Sequence, residues 1–178
     1  MQKTPPQKKI NTFLEYYKSK RYSEAEKLAY IFTKDFPNYS FGWKALGVVL
    51  KKTGKILEAL AANQKALQIN PQDVEVYFNL ANTLKDLNRK DEAIVNYKKA
   101  INIKPDYMEV YNNLGITLRE LNQLKESEYT YKKAKELKPD FADAYNNLGI
   151  SQKELKKFEE SEASYKKAIE LKPDFADA

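Results

Sequence analysis

Three asparagines, Asn79, Asn113 and Asn147, stand 34 residues apart in the sequence. A primary amide offers one acceptor and two donors, which match the C=O and N–H groups of a peptide unit. A row of such side chains can therefore hold a polypeptide backbone without reading its side chains. The other interpretation is that the position favours asparagine for local hydrogen bonds within the fold, and the sequence leaves both open. We call these three residues the asparagine row.

Cations recur at the same interval, six residues after each asparagine of the row and also six residues after Ala45. This cation row consists of Lys51, Lys85, Arg119 and Lys153. Its positive charges predict attraction of acidic peptides or of a terminal carboxylate, whereas ordinary solvated lysines would give the same pattern. We include neighbouring amides in the same candidate binding surface, namely Asn82, Asn112 and Asn146.

The interval of 34 residues organises most of the chain. The letters Tyr-Asn-Asn-Leu-Gly occur at residues 111–115 and again at 145–149, with looser copies at 77–81 and 43–47. A period of this length indicates a stacked-repeat architecture. Apolar residues recur every three or four positions within a copy, which predicts an amphipathic helix. A second helix follows each first one, as at residues 125–137.

The predicted helices end at recognisable residues. Gly54, Asn88 and Asn122 stand where the first helix should break, and these residue types tolerate a left-handed backbone. Lys156 occupies the same place in the last repeat and suits such a turn less well. The second helices stop at prolines, because proline cannot continue a helix. These prolines are Pro71, Pro105, Pro139 and Pro173.

The repeat also carries fixed residue types. An aromatic residue is followed by leucine after three positions and by a small residue after four. The aromatic residues are Trp43, Tyr77, Tyr111 and Tyr145. This joint pattern resembles the tetratricopeptide repeat at nearly every signature position of four repeats. The resemblance implies two antiparallel helices per repeat, and hence an all-α, right-handed superhelix (an α-solenoid) of about five repeats.

The period divides the chain into segments. Residues 1–39 are interpreted as a degenerate first repeat, because Phe13 occupies a small-residue position there. Four repeats follow, and three last residues match the start of another. The predicted segments are 40–73, 74–107, 108–141, 142–175 and 176–178. Since the chain stops where a further repeat should begin, we expect it to be a fragment of a longer protein.

The resemblance places the first helix of each repeat on the concave side of the fold. There the asparagine row is similar to the asparagine ladder of O-linked N-acetylglucosamine transferases, although Ala45 interrupts it. Packed helices lie about 8–10 Å apart, and an extended peptide advances about 3.3 Å per residue. Each asparagine would then meet roughly every third residue of a bound peptide.

Composition excludes several kinds of chemistry. The chain has no cysteine and no histidine, so thiolate metal sites and the commonest general base are excluded, and we expect no cofactor and no catalysis by this segment. The net charge is +6, but the lysines are spread at helical spacing, so we expect no nucleic acid. No apolar run is long enough for a membrane span, and we expect a cytoplasmic protein.

These observations favour a scaffold that binds an extended peptide or a partner protein in its concave groove. One alternative is the substrate-presenting arm of a larger glycosyltransferase or sulfotransferase. The other is self-association into a homo-oligomer through the uncapped last repeat, which leaves Phe158, Tyr165 and Ile169 uncovered.

Overall fold

The computed structural model describes residues 4–173, which form ten α-helices and no strand. The helices are α1 (Gln7–Lys18), α2 (Tyr22–Asp35), α3 (Ser40–Lys52), α4 (Ile56–Ile69), α5 (Val74–Asp86), α6 (Lys90–Ile103), α7 (Met108–Glu120), α8 (Leu124–Leu137), α9 (Ala142–Glu154) and α10 (Phe158–Leu171). Odd-numbered helices are called first helices and even-numbered ones second helices. The predicted start of another repeat at 176–178 lies outside the described residues.

The chain divides into two compact units, Met1–Arg89 and Lys90–Ala178. The first unit contains α1 to α5 and the second contains α6 to α10. The division therefore falls inside the predicted repeat 74–107, with its first helix in one unit and its second helix in the other. In each unit, helices that are adjacent in sequence pack against each other, and so do the successive first helices α3 and α5, and α7 and α9.

Two residues after the end of each first helix stands a residue with a left-handed backbone. Gly54 has φ 80°, and Asn88 and Asn122 both have φ 59°, as the sequence predicted. Lys156 adopts the same conformation with φ 61°, and so does Lys20 in the degenerate repeat with φ 59°. The turn is therefore kept even where lysine replaces glycine or asparagine, at a cost of roughly 1–2 kcal/mol for an L-residue.

The aromatic residue of the repeat forms a hydrogen bond from a first helix to the carbonyl oxygen of the preceding proline. Trp43 donates its indole N–H to the carbonyl oxygen of Pro37 at 2.8 Å. Tyr111 donates its hydroxyl to the carbonyl oxygen of Pro105 at 3.0 Å. These side chains have a structural role in each unit, because the hydrogen bond joins the first turn of the helix to the preceding loop.

The core of the first unit is built from aromatic rings and alanines. The rings of Phe13, Phe32 and Phe41 pack edge to face, with centroids 5.7–6.3 Å apart. Phe13 is buried although it stands at a small-residue position, and Ala29 on the facing helix α2 is fully buried in the same core. The large side chain is thus on the first helix of this repeat and the small one on the second.

The second unit uses the opposite arrangement. The ring of Tyr131 lies directly over Gly115, where an added Cβ atom would come within 2.6 Å of Tyr131 Cε1. Tyr165 covers Gly149 in the same way, at 2.9 Å. A hydroxyl supports the first crossing, since buried Ser127 donates to the carbonyl oxygen of Gly115 at 2.8 Å. Glycine here allows the second helix to place a whole ring against the first helix.

Candidate functional site

Three of the predicted site residues of the first unit line one cavity of about 320 Å³. Lys51 reaches it from α3, and Asn79 and Asn82 reach it from α5. The cavity, which we call the Asn63 pocket, is lined by Tyr17, Gly47, Val48, Lys51, Lys52, Asn63, Asn79, Asn82 and Thr83. Consecutive first helices therefore contribute amide and cationic groups to one depression in this unit.

A short chain of hydrogen bonds fixes the wall of the pocket. Thr83 Oγ1 donates to the backbone oxygen of Asn79 at 2.7 Å. Asn63 Nδ2 donates to Thr83 Oγ1 at 3.3 Å. Asn63 is fully buried, yet its Oδ1 atom finds no hydrogen-bond partner among the described residues. Asn63 and Thr83 were not predicted from the sequence, because both lie outside the repeated pattern that defined the candidate surface.

In the second unit, amides of two first helices contact each other directly. Asn147 Nδ2 on α9 donates to Asn112 Oδ1 on α7 at 3.1 Å. Asn113 and Asn146 are half-buried on the same helices. The bond shows that this asparagine takes part in local hydrogen bonding, which was the alternative interpretation of the row. It also leaves three N–H groups and one amide oxygen of the pair for other partners.

Two of the four members of the cation row form ion pairs with carboxylates in the described part of the chain. Lys51 Nζ lies 3.0 Å from Asp86 Oδ2 in the first unit. Arg119 lies 3.3 Å from Glu154 Oε1 in the second unit. Both acids lie at the end of the next first helix. The remaining members of the row are Lys85, which is half-buried, and Lys153, which is exposed.

Lys44 is a further cation of the first unit on α3. Its ammonium group lies 2.8 Å from Glu75 Oε2 and 3.1 Å from Asp73 Oδ2. Burial lowers the pKa of Lys44, but the hydrogen bonds and charges of Glu75 and Asp73 outweigh burial, so the pKa is raised. Because surface pairs contribute only about 0–1 kcal/mol each, these contacts set local charge more than stability.

A shared cavity or a direct contact joins five of the ten predicted site residues, in each case within one unit. Lys51, Asn79 and Asn82 meet at the Asn63 pocket, and Asn112 meets Asn147. The continuity of the asparagine row from Asn79 to Asn113 stays a prediction. Within residues 4–173 no group of three or more aspartates or glutamates is placed to hold a metal ion. No helix in that range has the length and apolar character that a membrane crossing requires.

Family models agree with the repeat pattern. A model described as TPR repeat matches residues 47–88, 81–119 and 117–156, and a model described as Tetratricopeptide repeat matches residues 142–175. Together the matches run from residue 47 to residue 175, which is more than half of the chain. A comparison with curated protein sequences gives no significant match.

Solved structures of similar fold include MamA and YrrB. The crystal structure of MamA is 21% identical and superposes with a TM-score of 0.83, over 92% of this chain and 96% of that one. MamA from Desulfovibrio magneticus RS-1 is 17% identical with a TM-score of 0.85, over 94% and 95%. YrrB is 20% identical with a TM-score of 0.77, over 93% and 86%. These likenesses confirm the predicted fold class, an all-α solenoid.

Two functional alternatives and one resemblance stay predictions. They are the similarity to O-linked N-acetylglucosamine transferases, the substrate-presenting arm and the self-association through the last repeat. Phe158 and Ile169 on α10 are exposed, at 60% and 42% of their surface, whereas Tyr165, which was also expected to be uncovered, is half-buried over Gly149.

Proposed function

We propose a function on the premise that this chain belongs to the tetratricopeptide repeat family, as the family models that match residues 47–175 show. The chain is a scaffold that binds an extended segment of a partner protein along its first helices. The asparagine row holds the backbone of that segment. Catalysis has no place in this proposal.

The observation that carries the proposal is the shared face of consecutive first helices. In the second unit, the amides of Asn112 on α7 and Asn147 on α9 are within hydrogen-bond distance, at 3.1 Å. In the first unit, Lys51 on α3 and Asn79 on α5 line the same pocket. In each unit the predicted polar groups therefore present donors and acceptors to one surface.

The chemistry of this surface suits a peptide backbone better than a charged side chain. The pairing of Lys51 with Asp86, and of Arg119 with Glu154, leaves little net charge at those points. The amides of Asn112 and Asn147 keep donors and an acceptor beyond the bond that joins them. Recognition by amides does not require an acidic partner. The proposal therefore does not depend on the acidic character that the sequence predicted for the partner.

A fold neighbour supports this type of ligand. The structure of YrrB is described as that of a TPR protein with an unusual peptide-binding site. At 20% identity that likeness concerns the fold, so the argument for this chain depends on its own asparagines.

A random peptide library displayed on phage tests the proposal. A selected peptide would be synthesised and its affinity measured by calorimetry for the wild type and for the triple variant Asn79→Ala, Asn113→Ala and Asn147→Ala. Each lost amide contact is worth about 0.5–1.5 kcal/mol, so the loss of three should weaken binding by at least about tenfold. Helical content by circular dichroism should stay nearly unchanged.

A matched control removes exposed amides from second helices. The triple variant Gln64→Ala, Gln68→Ala and Asn102→Ala changes the same number of amides on α4 and α6. Its affinity for the peptide should equal that of the wild type. Equal affinity of both triple variants, or failure to select any peptide, would contradict the proposal.

A further inference from the structure

The cation row is built differently at the N-terminal end of the protein. In the sequence, an acid stands 35 positions after each of the first three row cations. These acids are Asp86, Glu120 and Glu154. One repeat earlier, Tyr17 stands at the position of the cation and Lys52 at the position of the acid. A hydroxyl and a cation therefore replace a cation and an acid at this step.

The later steps show what the acid does. Asp86 Oδ2 lies 3.0 Å from Lys51 Nζ, and Glu154 Oε1 lies 3.3 Å from Arg119. In both cases the acid compensates the positive charge contributed by the preceding repeat. Lys52 cannot do so, and its own ammonium group forms no ion pair with the residues that the structure describes. The first step therefore carries a cation that no acid compensates.

This cation lies at an accessible part of the Asn63 pocket. Tyr17, Lys51 and Lys52 line the pocket together, and we call these three residues its mouth. Asn63 and Thr83 are fully buried, whereas Tyr17 and Lys51 are half-buried and Lys52 is exposed. A ligand group therefore reaches the mouth without contacting the buried residues. The volume of about 320 Å³ corresponds to roughly ten waters at about 30 Å³ each, which is sufficient for a small polar group.

The mouth has more hydrogen-bond donors and positive charge than its neighbours satisfy. The hydroxyl of Tyr17 has no hydrogen-bond partner in the described part of the chain, and its ring is held by Phe13 and Tyr22 at centroid distances of 6.2 and 5.7 Å. A phenol donates one hydrogen bond, and each ammonium group only donates. Because Asp86 compensates one of the two lysines, one positive charge is in excess.

We infer that the mouth of the Asn63 pocket binds the carboxylate of an aspartate or glutamate side chain of the partner segment. This carboxylate lies against Lys51 and Lys52 and accepts a hydrogen bond from the Tyr17 hydroxyl. It supplies the negative charge that Asp86 and Glu154 supply at later steps. The inference rests on the proposed function and adds a side-chain preference at one position of the segment.

Other ligand groups fit the mouth less well. A carboxamide accepts hydrogen bonds but leaves the positive charge uncompensated, an ammonium group is repelled, and an apolar group leaves the donors without an acceptor. The carboxylate at the end of a chain has the same chemistry as an acidic side chain. However, the pocket is lined from α1, α3 and α5, so an extended segment along the first helices continues past the mouth in both directions. An acidic side chain within the segment is therefore the expected ligand.

Short peptides test this preference. Four alanine pentapeptides, acetylated and amidated at their ends, would carry glutamate, glutamine, lysine or norleucine at the centre. A fifth would contain alanine alone and end in a free carboxylate. Affinities would be measured by nuclear magnetic resonance of the ¹⁵N-labelled full chain, from the shifts of the Lys52 backbone amide and the Asn79 side-chain amide. The glutamate peptide should bind at least about fivefold more tightly than each of the others, because hydrogen bonds to a charged group are stronger than those to a neutral one.

Three variants locate the effect. Lys52→Glu places an acid where the later steps have one, so the glutamate peptide should bind no more tightly than the glutamine peptide. Tyr17→Phe keeps the ring but removes the donor, and should lower the preference for glutamate by about threefold. Lys65→Glu changes the net charge by the same amount at an exposed position of α4. This control should bind all the peptides as the wild type does.

Four results would overturn the inference. They are no saturable shift with the glutamate peptide, equal affinity for the glutamate and glutamine peptides, a free-acid peptide that binds as tightly as the glutamate peptide, and an unchanged preference in Lys52→Glu. The blocked peptides share one backbone, so a failure of the asparagine row changes all their affinities alike. The ratio between the glutamate and glutamine peptides tests the mouth alone, and the two proposals can therefore fail separately.

Discussion

One crossing of first and second helices is built in two ways in this protein. In the second repeat Asn63 lies over Gly47, and a cavity of about 320 Å³ borders them. In the fourth repeat Tyr131 lies over Gly115 and is fully buried. The glycine is the same in both, so the difference resides in the second helix. The ring of Tyr131 fills the crossing, whereas the shorter amide of Asn63 leaves a cavity beside it and has an acceptor without a donor.

The first repeat adds a third solution to the comparison. There Phe13 on α1 and Ala29 on α2 are both buried in the core of the first unit. The crossing therefore accepts a large side chain from either helix, provided that the other one is small. What matters for packing is the combined volume of the two residues, and the second repeat is the place where that volume falls short.

The largest effect should come from removing the ring that fills the fourth repeat. Tyr131→Asn copies the second repeat at this position and should lower the free energy of unfolding by roughly 3–5 kcal/mol, as for other buried aromatic rings. Chemical denaturation followed by circular dichroism measures it. Tyr129→Asn is the control, because Tyr129 on the same helix is 60% exposed. A cost below about 1 kcal/mol for Tyr131→Asn would show that the ring is not what stabilises this crossing.

A smaller effect should appear only at alkaline pH. Burial raises the pKa of Tyr131 to about 12, although nearby Arg119 opposes the shift. In the unfolded chain the Tyr131 hydroxyl loses its proton near pH 10. The contribution of this hydroxyl to the free energy of unfolding is therefore complete below pH 10 and is lost as the pH rises through about 12. The loss amounts to about 2–3 kcal/mol.

Tyr131→Phe should remove this dependence. At pH 7 the variant should match the wild type, because the Tyr131 hydroxyl has no hydrogen-bond partner among the described residues. Between pH 10 and 12 it should lose less stability than the wild type does in urea titrations. Identical pH profiles for the two proteins would contradict a buried, proton-retaining Tyr131.

The smallest effect distinguishes the two glycines. An added Cβ at Gly115 would lie 2.6 Å from a buried ring atom of Tyr131, whereas at Gly47 it would lie 2.5 Å from Asn63 Oδ1, beside the pocket. The atom met at Gly47 is the end of a short side chain that borders the pocket, whereas the atom met at Gly115 belongs to the rigid ring of Tyr131. In both variants, the higher helix propensity of alanine raises the free energy of unfolding by about 1 kcal/mol. In Gly115→Ala, overpacking also lowers it by roughly 1–3 kcal/mol.

Gly115→Ala should therefore be less stable than Gly47→Ala by at least about 1 kcal/mol in matched denaturant titrations. Equal stability of the two variants would mean that both crossings relax to the same extent. In that case the contrast between the ring and the amide would have no energetic meaning.

The repeat pattern was sufficient to predict the helices. The segment predicted at residues 125–137 is α8, Leu124–Leu137, and the turns at Gly54, Asn88 and Asn122 adopt the predicted backbone. Lys156 also adopts the turn although its residue type argued against it. Its backbone is determined by the two helices that it joins, so tertiary packing outweighed local preference.

The candidate surface was predicted less completely. Periodicity identifies positions that recur, and it found Asn112, Asn147 and Lys51. It does not identify a position where one repeat departs from the others, and Asn63 is important because it differs from Tyr97, Tyr131 and Tyr165. Counter-charges such as Asp86 and Glu154 were also missed, because each pairs with a cation about 35 residues earlier. The departures are visible in the sequence once the tyrosine position is aligned.

The position of Trp43 in the first unit has a consequence for spectroscopy. Trp43 is the chain's one tryptophan, and it belongs to the first unit, whereas the 13 tyrosines are distributed over both. Tryptophan fluorescence therefore reports on the first unit, and far-ultraviolet circular dichroism reports on helices of the whole chain. Coincident transitions in the two signals would indicate one cooperative unfolding event, and separated ones would measure how far the units differ in stability.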